Sequence, residues 1–199
     1  MTTSPLRRIQ SNAPESRMTT RSVRARRATR RAAALALACL IPLGARAACV
    51  ASISAEAPNG RYTAGSGTVL DTYTGLTWKT CPEGLSGATC ATGTIVTGTW
   101  ADALNRVATV NAAPSTLGAG FSDWRLPNRA ELASLIERQC ATPAINTTLF
   151  PATPSQSFWS STGYAQIGAV AWAVDFGSGD VGPAVKTGVK NIRLVRGGN

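Results

Sequence analysis

Four cysteines that follow a basic and apolar leader are the feature that most limits how this chain can fold. They are Cys49, Cys81, Cys90 and Cys140. An even number of cysteines in an exported chain indicates disulfides, although four cysteines permit several pairings. Cys81 and Cys90 flank a glycine-rich stretch that can fold back at low cost, so we predict Cys81–Cys90 and, with it, Cys49–Cys140. Free buried thiols are the alternative. A zinc site is disfavoured, because the chain has no histidine and no C-x-x-C pattern.

The leader has the order of a secretory signal. A run of arginines is followed by 12 apolar residues, Ala32–Leu43, and then by Ala45 and Ala47 at the positions that precede a cut before Ala48. The apolar run is too short for a spanning helix, which needs about 20 residues. We therefore expect a signal peptide over 1–47, with Met18 as a possible true start, and no permanent membrane span after cleavage.

Charge is concentrated in this leader. The formal net charge is +10, but residues 1–47 hold ten of the twenty basic residues and only one acid. From Ala48 onward, ten basic residues face nine acidic ones. The sequence therefore does not indicate a nucleic-acid partner, since a basic binding arm would not be followed by an apolar segment and a cleavage pattern.

The pattern after the leader predicts a single α+β domain over 48–199, with an antiparallel sheet, two helices and long loops. Apolar residues at helical spacing and cap-like pairs predict helices at about 99–110 and 128–139. Period-two alternation predicts strands before and after them. This order of strands, two helices and further strands is typical of an α+β fold and not of alternating βαβ units. The predicted strands are Val69–Leu70, Leu76–Trp78, Phe158–Thr162, Val170–Phe176, Val181–Val185 and Ile192–Val195.

Several segments, in order, resemble one known family. The GTVLDTYTGLTWK segment at 67–79, the TWADAL helix start at 99–104 and the FSDWRLPN segment at 121–128 are similar to its main motifs. The later matches are at 143–146, 150–151, 158–161, 170–176 and 193–198. The family is that of the Lcl C-terminal domain, the ligand-binding end of a bacterial collagen-like adhesin. The resemblance covers about residues 62–198.

The resemblance implies an exported bacterial domain with a C-type-lectin-like or sulfatase-modifying-factor-like α+β fold. In the adhesin, this domain is associated with binding of sulfated glycosaminoglycans. The chain has no collagen-like repeat. An acidic polysaccharide or a component of the bacterial envelope is therefore the expected partner, in the periplasm or at the cell surface.

The candidate ligand-binding residues are the basic side chains near the end of the chain, with one aromatic residue. They are Trp159, Lys186, Lys190, Arg193 and Arg196. The flat apolar face of an indole can stack on a sugar ring, while lysine and arginine attract anionic groups. The alternative interpretation is that Trp159 belongs to the core and that the basic residues form a solvated face.

No residues indicate catalysis, a cofactor or a metal. The absence of histidine excludes serine–histidine and cysteine–histidine mechanisms, and the carboxylates are scattered. Asp175 and Asp180 flank a glycine-rich turn, but two carboxylates are too few for calcium, which takes six to eight oxygen ligands. We expect a non-catalytic secreted binding module. The alternative is a structural or assembly component of an exported envelope complex that binds no small ligand.

Overall fold

The computed structural model describes residues 48–197 of the chain. The predicted signal peptide over 1–47 and the alternative start at Met18 lie outside the described residues. Within residues 48–197, none of the helices has the length and apolar character needed to cross a membrane.

The described elements are short strands and two helices. Before the first helix lie β1 (Ala48–Cys49), a 3-10 turn (Asn59–Arg61), β2 (Tyr62–Ala64), β3 (Thr68–Asp71), β4 (Thr77–Lys79), β5 (Leu85–Ser86), β6 (Thr92–Gly93) and β7 (Thr97–Gly98). The remaining elements are α1 (Trp100–Asn111), α2 (Arg129–Ala133), β8 (Cys140–Ala141), β9 (Ser157–Gly163), β10 (Val170–Asp175), β11 (Asp180–Val185), β12 (Lys190–Asn191) and β13 (Val195–Arg196).

These strands form two main sheets. The five-stranded sheet has the order β11-β10-β9-β12-β7, and the four-stranded sheet has the order β13-β4-β3-β2. The pairings are antiparallel, except that β12 runs parallel to β9. The predicted α+β class with mostly antiparallel strands is therefore confirmed.

The five-stranded sheet has core on both faces. Successive side chains of a strand point to opposite faces, and the neighbours Phe158 and Trp159 accordingly join two different buried clusters. Val174 lies with Phe158, and Ala173 lies with Trp159. Both faces of the central strands β9 and β10 thus contribute to the core, while Trp172 of β10 is only half-buried.

The first helix forms as predicted, within one residue at each end. Thr99 is its N-cap, and Asp102 completes a capping box with the Thr99 backbone and side chain. The cap satisfies backbone N–H groups that the first turn leaves without partners. It also fixes Trp100 as the first residue of α1, which matters for the surface described below.

The second helix begins where predicted, but its predicted end at 139 is wrong. Asn128 and Glu131 form the expected capping box, yet α2 ends at Ala133. Beyond it, Ile136 forms a bridge with Ile145, and the Glu137 N–H donates to the Ala144 carbonyl. Leu135 and Ile136 are buried as expected of an apolar face, but they reach the core through turns and this bridge.

The predicted strand Ile192–Val195 is also wrong in its extent. The chain leaves the five-stranded sheet after β12 and joins the four-stranded sheet only at β13. Residues 192–194 cross between the two sheets. Every residue of that crossing is fully buried, including Arg193.

Both predicted disulfides are confirmed. Cys49–Cys140 joins β1 to β8, which pair antiparallel with these two cysteines opposite each other. Cys81–Cys90 closes a short loop in which Gly84 and Gly87 both have a φ of +87°. That region of φ favours glycine, which explains the glycine-rich composition between the two cysteines.

Candidate anion-binding surface

The basic residues of the described chain divide into those with and without a carboxylate partner. Six of them form ion pairs: Arg61, Lys79, Arg106, Arg125, Arg138 and Arg196. Within residues 48–197, the four without an ion pair are Arg129, Lys186, Lys190 and Arg193. Three of these four lie at the surface, and each of the three lies over the ring of a tryptophan.

Lys186 is held over Trp100. It follows directly after β11, where its N–H donates to the Ala169 carbonyl at 2.9 Å. Its Nζ lies 4.1 Å from the centroid of the Trp100 ring and donates to the Gly168 carbonyl at 2.8 Å. An ammonium over an indole face is attracted by the ring quadrupole. The ammonium is therefore restricted in position, and it has no carboxylate partner within residues 48–197.

Lys190 lies over Trp159, with Nζ 5.2 Å from the ring centroid. Trp159 itself is fully buried, and its Nε1 donates to the Gly98 carbonyl at 3.0 Å. The indole therefore offers no face to a sugar ring, in contrast to the stacking role considered from the sequence. Its place in this surface is beneath the cation that covers it.

Arg129 is a member of this surface that the sequence did not indicate. As the first residue of α2, it donates its backbone N–H to Thr162 Oγ1 at 3.0 Å. Its guanidinium carbon lies 4.5 Å from the centroid of the Trp172 ring, and Tyr164 meets the same indole edge-on at 5.3 Å. The Arg129 side chain is exposed and donates no hydrogen bond within residues 48–197. Its N–H groups are therefore available to an external acceptor.

Two of the cation–ring pairs are connected through β9. The Trp100 Nε1 donates to the Ser160 carbonyl at 2.8 Å, and the Ser160 hydroxyl donates to the Trp172 carbonyl at 2.8 Å. Trp100 and Trp172 thus approach the same strand residue. We call the set Trp100, Arg129, Trp159, Trp172, Lys186 and Lys190 the cation–indole surface. By strand alternation, Trp172 points to the opposite face of β10 from Ala171 and Ala173, which pack with Trp159.

Arg193 is not part of this surface, although it was a candidate. Its guanidinium is fully buried and donates to the Lys79 carbonyl at 2.7 Å, the Thr80 carbonyl at 2.7 Å and Thr153 Oγ1 at 2.8 Å. Burial lowers the pKa of Arg193 to about 9, and the nearby charge of Glu83 partly opposes that shift. This arginine binds backbone carbonyls within the protein.

Arg196, the last candidate, is half-buried and paired. Its Nε donates to Asp123 Oδ1 at 2.7 Å, and its guanidinium lies 4.0 Å from the centroid of the Phe121 ring. The hydrogen bond from Arg196 lowers the pKa of Asp123. The charge of Arg196 is thus already compensated, which makes it a weaker attractor of anions than Lys186 or Arg129.

One carboxylate, that of Asp175, lies within electrostatic range of Lys190. Asp175 contributes its carboxylate to a turn, accepting from the Ser157 hydroxyl at 2.7 Å and from the Gly177 N–H at 2.7 Å. Burial raises the pKa of Asp175, but these bonds and the charge of Lys190 outweigh it, so the net shift is downward. Among residues 48–197 there is no cluster of three or more residues suited to hold a metal ion.

The fold and this surface define a disulfide-bonded α+β domain whose uncompensated surface cations lie on indole rings. The family model of the Lcl C-terminal domain matches residues 67–196. The chain belongs to the Lcl C-terminal domain family. Comparison with curated proteins finds no match.

Proposed function

We propose that this chain is an exported, non-catalytic binding module that recognises an acidic polysaccharide through its cation–indole surface. The observation that supports the proposal is the placement of Arg129, Lys186 and Lys190. These are the surface cations of residues 48–197 that lack an ion pair, and each is held over an indole ring. Cations restricted in this way lose less freedom when they bind an anion.

A repeating anion suits this surface better than a single charged group. One exposed ion pair contributes about 0–1 kcal/mol, so useful affinity requires several contacts with one ligand. Because residues from Ala48 onward carry nearly balanced charge, attraction must come from these three cations without ion pairs. It is screened over about 8 Å at physiological ionic strength. Binding is therefore expected to weaken steeply as salt is added.

The two disulfides are consistent with an oxidising compartment outside the cytoplasm. We propose the bacterial periplasm or cell surface as that compartment and a mature N-terminus at or near Ala48. N-terminal sequencing of exported protein tests the cleavage site, and a mature product that retains residues before Leu43 would contradict it. The C-type-lectin-like arrangement implied by the family resemblance stays a prediction.

Calorimetric titration with heparin and with dextran sulfate, at low and at physiological salt, tests the ligand. We expect Lys186→Gln, Lys190→Gln and Arg129→Gln each to weaken binding. Arg138→Gln is the matched control, because it removes one positive charge from an exposed ion pair with Glu56. Equal weakening by the control, or no binding to either polyanion at low salt by the folded, oxidised domain, would reject the proposal.

A role in envelope assembly is the second candidate, and exposed apolar side chains favour it. Ile167, Val185 and Val189 are 53%, 60% and 67% exposed. Val185 and Val189 directly precede the two lysines of the cation–indole surface. Ligand-independent co-purification with envelope proteins, lost on Val185→Ser and Val189→Ser but retained in Lys186→Gln, would support this function over polysaccharide binding.

A further inference from the structure

A second feature of the molecule, apart from the cation–indole surface, is a cleft of about 620 Å³. The loop closed by Cys81–Cys90 contributes residues 84–88 to its lining, and residues 64–67 and 79–81 contribute further parts. Arg106 from α1 also lines it, together with Thr116 and Leu117. A cleft of this size accommodates a small organic molecule, since ligand pockets are typically about 300–1,000 Å³.

Two cations of the cleft share one buried carboxylate. Lys79 Nζ donates to Glu83 Oε1 at 2.6 Å, and Arg106 Nε donates to Glu83 Oε2 at 2.9 Å. Glu83 is fully buried, while the side chains of Lys79 and Arg106 retain 10% and 17% exposure. Lys79 Nζ also donates to the Leu117 carbonyl at 2.7 Å. Both cations are thus fixed in position where they line the cleft.

Positive charge exceeds negative charge in this cluster. Arg193 donates to the carbonyls of the lining residues Lys79 and Thr80 and is within electrostatic range of Glu83. Among the described residues, Glu83 is the one carboxylate paired with Lys79 or Arg106. An uncompensated charge away from water is costly. An anion bound in the cleft would offset that cost.

The cleft also has open donors and an apolar lining. Within residues 48–197, Nη1 and Nη2 of Arg106 have no hydrogen-bond acceptor, since its one bond is made by Nε. A guanidinium offers such donors in a planar arrangement that matches an oxyanion. The apolar residues that line the cleft include Val69, Leu85, Leu117, Leu149 and Pro151.

We propose that this cleft binds a small organic anion, with its oxyanion group at Arg106 and Lys79 and its apolar body along Leu85, Leu117 and Leu149. The site is distinct from the proposed polysaccharide surface and does not depend on it. A polysaccharide would need repeated cations at an open surface, whereas this cleft combines one charged end with apolar walls. An inorganic anion alone would leave most of the volume unfilled.

Calorimetric titration with three probes tests the ligand class. Octyl sulfate carries both parts, inorganic sulfate lacks the apolar body, and octyl glucoside lacks the charge. We expect saturable binding of one octyl sulfate below its micelle concentration and binding of the other two about tenfold weaker or absent. Equal binding of octyl glucoside would overturn the oxyanion assignment. Equal binding of inorganic sulfate would overturn the assignment of the ligand's apolar body to the apolar walls of the cleft.

Variants then locate the site. Arg106→Gln should weaken octyl sulfate binding about tenfold, while Lys79 still pairs with Glu83. Arg138→Gln and Lys186→Gln are matched controls that should leave octyl sulfate binding unchanged. The second control also separates this proposal from polysaccharide binding, which Lys186→Gln should weaken.

Ala88→Trp provides a test that leaves every charge in place. Ala88 is an exposed residue of the cleft lining, so the larger side chain should obstruct the cleft without disturbing the core. We expect this variant to lose octyl sulfate binding and to retain heparin binding. Thermal melts establish that each variant is folded. If folded Ala88→Trp binds octyl sulfate as the unmodified protein does, the cleft is not the site.

Discussion

Lys186 Nζ lies 4.1 Å from the centroid of the Trp100 ring while it donates a hydrogen bond to the Gly168 carbonyl. The two contacts come from distant parts of the sequence, one from the start of α1 and the other from the turn before β10. A lysine side chain in water samples many rotamers, and restricting it has an entropic cost. In the folded protein without ligand, the Lys186 side chain is already restricted, so ligand binding removes less conformational entropy from it.

The same kind of contact between Arg129 and Trp172 should be measurable as a coupling energy. A double-mutant cycle with Arg129→Gln and Trp172→Leu, followed by urea denaturation, isolates it. We expect a coupling of about 0.5–1 kcal/mol, which is typical of a cation over an aromatic ring at an exposed site. Additive effects of the two changes would show that the contact contributes no coupling energy to stability.

Trp159→Ala should destabilise the domain, because the indole is fully buried under Lys190 and donates to the Gly98 carbonyl. The expected loss is about 3–5 kcal/mol in the free energy of unfolding. Trp172→Ala, at a half-buried position, is the comparison and should cost less. Chemical denaturation of both variants provides the measurement, and a loss below about 1 kcal/mol for Trp159→Ala would contradict its placement in the core.

Arg193→Met should lower the free energy of unfolding by more than the similar volumes of the two side chains suggest. The change leaves the Lys79 and Thr80 carbonyls and Thr153 Oγ1 without their donor in a buried region. Each unsatisfied buried group costs about 1–3 kcal/mol, so we expect a total loss of about 3 kcal/mol or more for the three acceptors. Arg196→Gln, at a half-buried ion pair, should cost about 1 kcal/mol or less. Similar losses for the two variants would argue against the buried role of Arg193.

Acid should destabilise the domain partly through Asp71. Burial raises the pKa of Asp71, but hydrogen bonds from Arg61 and Thr74 outweigh it, so the pKa lies below its ordinary value of 3.8. A carboxylate with a lowered pKa in the folded state stabilises the fold above its unfolded pKa, and this is lost as pH falls through the folded pKa. When urea denaturation is measured from pH 6 downward, the urea concentration at the midpoint should therefore decrease once the pH is below about 4.

Asp71→Asn should lower stability at neutral pH and flatten that acid dependence. Asp180→Asn, at an exposed position without an ion pair among residues 48–197, is the matched control and should keep the steep loss, because Asp71 is intact. If Asp71→Asn and the control lose stability in parallel on acidification, Asp71 is not a source of the acid sensitivity.

The two disulfides should differ in how much they stabilise the domain. Cys49 and Cys140 are separated by 91 residues, and Cys81 and Cys90 by 9. In the chain-entropy model, the bond that closes the longer loop restricts the unfolded chain more, within a typical range of about 2–4 kcal/mol. Denaturation of the Cys49→Ala/Cys140→Ala and Cys81→Ala/Cys90→Ala pairs tests this. A larger loss for the second pair would contradict the model.

Local signals in the sequence were sufficient to predict the residues that cap the two helices. Contacts between residues distant in the sequence could not be predicted from such signals. Thr99 with Asp102 and Asn128 with Glu131 mark helix starts through contacts three residues apart. The early end of α2 depends instead on Ile145, which lies in a loop that the sequence pattern does not pair with anything.

Prediction of the candidate binding residues from the sequence is limited in the same way, because their partners are distant in the chain. Arg193 and Arg196 look equivalent in the sequence, but the acceptors of Arg193 are more than a hundred residues earlier in the chain, apart from Thr153. Arg129 follows a cap residue, which predicts an exposed position, yet its partner Trp172 comes from another element. The sequence signal for Trp172, alternation in a strand, indicates burial and gives no reason to expect a cation over its ring.

The position of residues 190–196 has a consequence for folding during synthesis. β12 lies between β9 and β7, and β13 forms the edge of the other sheet beside β4. A chain synthesised from its N-terminus presents β7 and β9 before the strand that joins them. Neither sheet can be completed until this last segment has emerged. An unfinished chain therefore leaves the strand edges of both sheets open to chaperones and proteases.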